Sequence, residues 1–239
     1  MAQFPKRLCI VALTVSCGSV TDPEAGTGME PPIDASAAVE SKEAVAPEEV
    51  FQPELASPRA YDRRGDEHLL AGRPELAIED YDRFLSAEPQ FEPQHWRRGI
   101  AYYYAEDFAQ GVAQFELHRT VNPNDVENAT WHFLCYARLH GIEAAADALL
   151  PVGRDSRAPM GEVLEMFAGR RTPERVLEVA RESNQRTAVF YGQLYVGLYH
   201  EARGDLPLAA KHLRLAAGDP ASDNYMGDIA RMHAARMKQ

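Results

Sequence analysis

The segment from Tyr61 to Pro123 carries nearly the same pattern twice, thirty-four residues apart. Three positions recur at this interval: Gly65 as Gly99, Tyr81 as Phe115, and Pro89 as Pro123. The small residues Gly65 and Ala77 would let two antiparallel helices approach closely, and Tyr81 would fill the gap between them. Pro89 would end the second helix, because proline disfavours helical backbone before it. The interval therefore predicts repeated helical hairpins.

The spacing resembles that of a tetratricopeptide repeat. Its small, small, small, aromatic and proline positions match Gly65, Gly72, Ala77, Tyr81 and Pro89. This resemblance implies an all-α solenoid of stacked helical hairpins with a concave groove, closed by a C-terminal capping helix. Because one repeat cannot bury its apolar face alone, several must stack, and the groove of such a stack holds other chains.

The remaining sequence extends this pattern with further helices. We predict helices at about Pro58–Ala71, Pro74–Glu88, Pro93–Glu106, Phe108–Val121, Trp131–Leu139, Ile142–Leu150, Met160–Ala168 and Pro173–Arg181. A last repeat starts near Phe190, with its pattern positions at Gly197, Gly204, Ala209, Leu213 and Ala216. A final helix, capped by Ser222 or Asp223 and ending near Met237, should close the stack.

Charge and composition narrow the class of function. The net charge is −11, and no basic stripe is present that could displace counterions from phosphates. A nucleic-acid surface is therefore not expected. β-Branched residues are scattered while Ala, Leu, Glu and Arg are abundant, which favours an all-α domain over residues 59–239.

The N-terminus has the layout of an export signal. Lys6 and Arg7 precede an apolar run from Leu8 to Val15, which is too short to cross a bilayer permanently. The segment Leu13-Thr14-Val15-Ser16-Cys17 resembles a bacterial lipobox, except that Thr14 stands where leucine is usual. We therefore predict a signal at 1–17 with a lipid on Cys17, a membrane anchor on the periplasmic face. Simple export without a lipid is the alternative.

Residues 18–58 are rich in Pro, Ala and Glu and nearly lack aromatic residues, so we expect an acidic disordered tether. Cys135 would be the only other cysteine of a mature lipoprotein and is interpreted as a small buried hydrophobe. A metal site built from His132, Cys135 and His140 is the weaker alternative, because His140 is off the face of Cys135. No cofactor or metal is expected.

Several motifs together resemble the bacterial NlpI-type tetratricopeptide lipoproteins. They are, in order, the leader ending in Cys17, Trp131-His132-Phe133-Leu134, Phe167-Ala168-Gly169, Thr172 to Leu177, Phe190 to Tyr195, and Gly204-Asp205-Leu206. The match covers residues 60 to 217. The resemblance implies a homodimeric, membrane-anchored adaptor that brings murein hydrolases together with a processing protease. The long acidic tether departs from the family's short linker.

In such a stack, the first helix of each pair lines the groove. Counting groove positions from the helix starts selects Asp62, Asp66, Trp96, Tyr103, Tyr104, Leu134, Arg138, Tyr191 and Leu194. Of these, Trp96, Tyr103, Tyr104, Arg138, Tyr191 and Leu194 are the candidate partner-binding residues, because aromatic side chains anchor peptides at low entropic cost. Packing between helices, or a dimer interface, is the alternative role. The lysine and asparagine of a carboxylate clamp are missing.

No nucleophile elbow or phosphate-binding glycine loop occurs, so we do not expect an enzyme. Two functions remain open at this point. One is a non-enzymatic adaptor in the bacterial cell envelope that holds protein or peptide partners in its groove. The other is a structural or assembly subunit of a larger envelope complex.

Overall fold

A computed structural model describes residues 57–237, in which every regular element is a helix and no strand occurs. A short 3₁₀ helix, Pro89–Gln94, lies between α2 and α3. The α-helices, numbered in chain order from α1 to α11, are Pro58–Leu70, Pro74–Ala87, Trp96–Tyr104, Phe108–Arg119, Val126–His140, Ile142–Asp147, Met160–Phe167, Pro173–Glu182, Ala188–Ala202, Leu206–Ala217 and Tyr225–Arg236. Helices adjacent in sequence pack as pairs, so the all-α prediction is confirmed.

Three of these pairs are built around the same close contact. A Cβ atom placed on Gly65 would lie 2.5 Å from the Tyr81 ring, and one on Gly99 would lie 2.7 Å from the Phe115 ring. Gly197 and Leu213 repeat this contact between α9 and α10, at 2.7 Å. Such distances are shorter than van der Waals contact, so any side chain at these positions would push the helices apart. The predicted role of Gly65 beside Tyr81 is confirmed.

The turns inside these three pairs also share one backbone shape. The residue two places before the second helix has a positive φ in each: 73° at Gly72, 62° at Glu106 and 80° at Gly204. Glu106 is the one residue other than glycine with positive φ in the described chain. The aspartates Asp107 and Asp205 follow this turn and cap α4 and α10 with their side chains.

Several predicted boundaries were wrong. Helix α3 begins at Trp96 and not at Pro93, because Pro93 lies in the 3₁₀ helix and His95 caps α3 by accepting a hydrogen bond from the Arg98 N–H. Helix α5 begins five residues before Trp131, since Asp125 caps its first turn. Helix α11 is capped by Asn224, whose side chain accepts from the Gly227 N–H, and not by Ser222 or Asp223.

The last helix, α11, does more than cover one end. It packs against α10, as expected for a capping helix, but it also contacts α1 at the opposite end of the described chain. Its buried side chains include Met226, Ile229 and Ala230, as the sequence predicts. The prediction of a simple capping helix therefore needs correction, because α11 joins the first and last hairpins.

The predicted export signal at 1–17, the lipidation of Cys17 and almost all of the tether at 18–58 lie outside the described residues, and Pro58 already belongs to α1. Between Ser57 and Met237, no helix combines the length and the apolar character that crossing a bilayer requires. Cys135 is fully buried and unpaired, which confirms its predicted place in the core.

Candidate partner-binding site

The first helices of the successive pairs, α1, α3, α5 and α9, present the residues that the sequence selected, and we call their shared surface the first-helix face. The structure separates the six candidates into three groups. Trp96 and Tyr191 line one cavity, while Tyr103, Tyr104 and Arg138 line another. Leu194 has no accessible surface and packs in the core, which favours its alternative role in packing between helices.

The first cavity, which we call the aromatic cavity, has a volume of about 290 Å³. Its lining residues are Trp96, Phe115, Asp125, Glu127, Asn128, Trp131, Tyr191, Asn224, Tyr225 and Met226. Aromatic rings make up half of these residues. The rings of Trp96 and Tyr225 meet at 87° with centroids 5.3 Å apart, so α3 and α11 form a right-angled aromatic corner.

One wall of the aromatic cavity is acidic. Asp125, which caps α5, and Glu127, in its first turn, share the guanidinium of Arg157, which also binds Asp155 at 2.7 Å. The Tyr195 hydroxyl donates to Glu127 at 2.7 Å. Burial raises the pKa of Glu127 above its ordinary value, although the charge of Arg157 opposes this. Two carboxylates therefore line this wall, and they share the one guanidinium of Arg157 with Asp155.

A second group of partly buried charges joins α1 to α3 beside Trp96. Arg97 donates to Asp62 at 2.6 Å and to Asp66 at 3.0 Å. Burial raises the pKa of Asp66. For Asp62 burial acts in the same direction, but the hydrogen bond from His95 and the charge of Arg97 outweigh it and lower its pKa. These charges fix the orientation of Trp96 by holding the residues on either side of it.

Two polar atoms on the walls of the aromatic cavity have no partner among the described residues. They are the indole N–H of Trp131 and the side-chain oxygen of Asn128, whose amide nitrogen donates to the Phe115 carbonyl at 2.9 Å. Trp131 is 2 % exposed and Asn128 is 4 % exposed. Both atoms have almost no accessible surface, so they lie in the packing behind the cavity and are not within reach of a ligand in it.

The second cavity, of about 300 Å³, lies at the other end of α11. Here His233 bridges α3 and α9: its Nδ1 lies 2.8 Å from the Tyr104 hydroxyl, and its Nε2 lies 2.9 Å from Glu201. A carboxylate can only accept, so Nε2 carries a hydrogen and donates it to Glu201. Burial would raise the pKa of Glu201, but the hydrogen bond and charge of His233 lower it. This bridge fastens α11 to the first-helix face.

Trp96 and Tyr103 lie seven residues apart, about two helical turns, so one environment would be expected for both side chains. They do lie on one face, yet seven residues span about 10 Å along a helix. Helix α11 lies across this interval, with Tyr225 near its start and His233 near its end. The two side chains consequently line different cavities, and both cavities include residues of α11.

The three residues considered for a metal site, His132, Cys135 and His140, do not form one in the structure. His132 and Cys135 are buried, whereas His140 is exposed. Within residues 57–237, no group of three or more histidine, cysteine, aspartate or glutamate side chains is arranged to hold a metal ion. His132 instead faces Glu116 at 3.6 Å, and burial lowers its pKa although Glu116 opposes this.

Sequence analysis missed the acidic wall and the contribution of α11. Asp125 caps α5 and Glu127 lies in its first turn, a segment that the prediction placed outside that helix. The sequence does contain a signal for this turn, because an aspartate cap followed by an acidic residue is typical of a helix start. The packing of Tyr225 against Trp96 joins residues far apart in sequence and left no comparable local signal.

No protein-family model matches the sequence, and no curated protein is significantly similar to it. The two cavities and the helix that borders both are therefore the features from which a function can be proposed.

Proposed function

We propose that the helical domain is a non-catalytic adaptor of the tetratricopeptide type, which holds a partner polypeptide against its first-helix face. The contacts of Gly65 with Tyr81, Gly99 with Phe115 and Gly197 with Leu213 support a repeated hairpin of this type. Stacked hairpins of this kind place their first helices side by side, which provides an extended surface for another chain.

The aromatic cavity is the observation that carries the proposal. Aromatic side chains in a concave site supply most of the binding energy in many protein interfaces. At about 290 Å³ the cavity lies at the lower limit of small-molecule sites, so it suits one side chain of a partner better than a whole cofactor. Its polar groups would orient that side chain.

We place this adaptor in the bacterial cell envelope, anchored by a lipid on Cys17 and paired as a homodimer, since the leader and the NlpI-type motifs favour this location and state. By that resemblance, the partners would include murein hydrolases and a processing protease. Export without a lipid is the alternative. The two can be distinguished by replacing Cys17 with serine and measuring how the protein divides between the membrane and soluble fractions.

Affinity capture from solubilised membranes tests the adaptor function. A double variant, Trp96→Ala with Tyr191→Ala, removes two walls of the aromatic cavity from half-exposed positions and should abolish capture of the partner. The matched control is Tyr102→Ala with Tyr136→Ala, because these two tyrosines are also partly buried on α3 and α5 but line neither cavity. Undiminished capture by a folded Trp96 and Tyr191 variant would refute the assignment of the site.

A second function, a structural or assembly subunit, is favoured by a different observation. Leu208 and Leu215 lie seven residues apart on α10, on one exposed face, with exposed fractions of 37 % and 49 %. Exposed leucines at this spacing can pair with another helix. Light scattering over a range of protein concentrations tests this: association that Leu208→Lys with Leu215→Lys abolishes would support it, and a monomer at all concentrations would contradict it.

A further inference from the structure

The charged side chains that line the aromatic cavity are all acidic. Its lining includes the carboxylates of Asp125 and Glu127 but no lysine, arginine or histidine. Arg157 binds both carboxylates from outside the lining, and it also binds Asp155, so carboxylates outnumber the guanidinium three to one. Asp66 lies within 3.5 Å of the Tyr225 hydroxyl, but Arg97 binds it at 3.0 Å and offsets its charge. The electrostatic potential in the cavity therefore favours a cation.

The aromatic walls favour the same kind of ligand. The face of an aromatic ring is electron-rich and attracts a cation that approaches it, most strongly where water is excluded. Trp96 and Tyr225 meet at a right angle, so together they can surround a cation on two sides. Tyr191 already has a cation over its ring, since the guanidinium carbon of Arg157 lies 5.7 Å from the ring centroid.

The size of the cavity narrows the choice further. At about 290 Å³ it lies at the lower limit of small-molecule sites, so it suits one side chain of a polypeptide. The cavity thus combines features suited to a single positively charged side chain.

We propose that the aromatic cavity binds the side chain of a lysine residue in a partner polypeptide. This inference rests on the proposed adaptor function and names the chemistry of the partner. Lysine fits better than arginine, because the planar guanidinium fork requires carboxylate oxygens in its own plane. Arg157 already occupies those positions on Asp125 and Glu127, whereas the compact ammonium group needs only nearby negative charge and aromatic faces.

The chain itself supplies the reporter for a direct test. It has two tryptophans, Trp96 and Trp131, and both line the aromatic cavity. Titrating the full chain with acetylated, amidated Gly-Lys-Gly should therefore change the tryptophan emission in a saturable way. The same peptide with norleucine in place of lysine keeps the length and the apolar stem but loses the charge. We expect lysine to bind about tenfold more tightly than norleucine.

Ionic strength and a third peptide sharpen the measurement. Because the attraction is between charges, the affinity for the lysine peptide should fall between about 0.05 and about 0.5 M NaCl, while that for norleucine should not. Gly-Arg-Gly should bind more weakly than Gly-Lys-Gly. Equal binding of norleucine and lysine, or tighter binding of arginine, would overturn the proposal.

A matched pair of variants tests the acidic wall. Asp125→Asn removes a charge from the cavity but keeps the cap of α5, since asparagine caps a helix as well as aspartate does. Asp107→Asn makes the same change at the cap of α4, outside the cavity. Affinity for the lysine peptide should drop several-fold in Asp125→Asn alone, with the helical circular dichroism of both variants unchanged. An equal effect of the two variants would refute the site.

The outcomes also separate this inference from the adaptor function. Capture of a partner that depends on Trp96 and Tyr191, together with no binding of the lysine peptide, would refute the lysine site and leave the adaptor in place. Saturable binding of the lysine peptide without any capture would refute the adaptor and leave the cation site.

Discussion

Replacing Glu106 by glycine should stabilise the protein. Glu106 occupies the turn between α3 and α4 with φ 62°, where Gly72 and Gly204 stand in the corresponding turns. In this left-handed region the Cβ atom crowds the backbone, so residues other than glycine are strained there. The one hydrogen bond that Glu106 makes among the described residues comes from its backbone N–H, which donates to the Tyr103 carbonyl and which glycine would keep.

The size of the effect follows from two opposing terms. A left-handed backbone costs a residue with a side chain about 1–2 kcal/mol. Glycine loses more conformational freedom on folding, which costs about 0.5–1 kcal/mol. The free energy of unfolding should therefore rise by about 0.5–1 kcal/mol in Glu106→Gly. For a domain of this size about 1 kcal/mol corresponds to a shift of about 2–4 °C in the melting temperature.

Urea and thermal unfolding, followed by helical circular dichroism, measure this change. Glu106→Ala is the matched control, because it removes the same side chain but keeps a Cβ atom at positive φ, and it should give no gain. Gly72→Ala should have the opposite sign and lower the unfolding free energy by about 0.5–1 kcal/mol. If Glu106→Ala stabilised the protein as much as Glu106→Gly, the carboxylate and not the backbone would be the source of strain.

Two further predictions concern a helix cap and a buried carboxylate. Arg73 precedes α2 without capping it, whereas Asp107 and Asp205 cap the equivalent helices. Arg73→Asp should therefore raise the free energy of unfolding, measured in urea, by about 1 kcal/mol. The control variant Arg73→Ala should not raise it. Glu201→Gln weakens the charged hydrogen bond to His233 and should cost about 1 kcal/mol near neutral pH. Because folding lowers the pKa of Glu201, its contribution is fully present above its unfolded pKa of about 4.3 and is lost as the pH falls through the folded pKa. The stability difference between wild type and Glu201→Gln should thus shrink from pH 6 to pH 3 in urea unfolding, and a constant difference would contradict the assignment of charge to this bridge.

The helical pairs could be predicted because the residues that form their contacts recur at a fixed spacing in the sequence. A glycine sixteen residues before a large side chain recurs at Gly65, Gly99 and Gly197, and in the structure each glycine lies against that side chain. The contact is local, since both partners belong to one hairpin. Helix ends were predicted less well, because capping depends on which of several polar neighbours reaches the backbone. At α11 this is Asn224 and not Ser222.

The candidate site could be predicted only in part. Counting positions along first helices found Trp96 and Tyr191, which line the same cavity in the structure. Leu194 was placed on the same surface by the same count, yet it is fully buried. The count cannot detect which positions another element covers. Tyr225 contacts Trp96 across more than a hundred residues of sequence, and the cavity depends on that contact.

The position of α11 changes where a partner can bind. An open groove would offer the whole first-helix face, but here Met226, Ile229 and Ala230 of α11 are buried, and His233 bridges α3 and α9. A partner of the proposed adaptor would therefore meet the two cavities at the ends of α11 and not a continuous groove between them. Removing α11 would expose the aromatic surface of α3 and would also destroy the right-angled corner of Trp96 and Tyr225. Helix α11 is consequently part of the proposed binding site, and we expect recognition at the aromatic cavity to require that it stays docked.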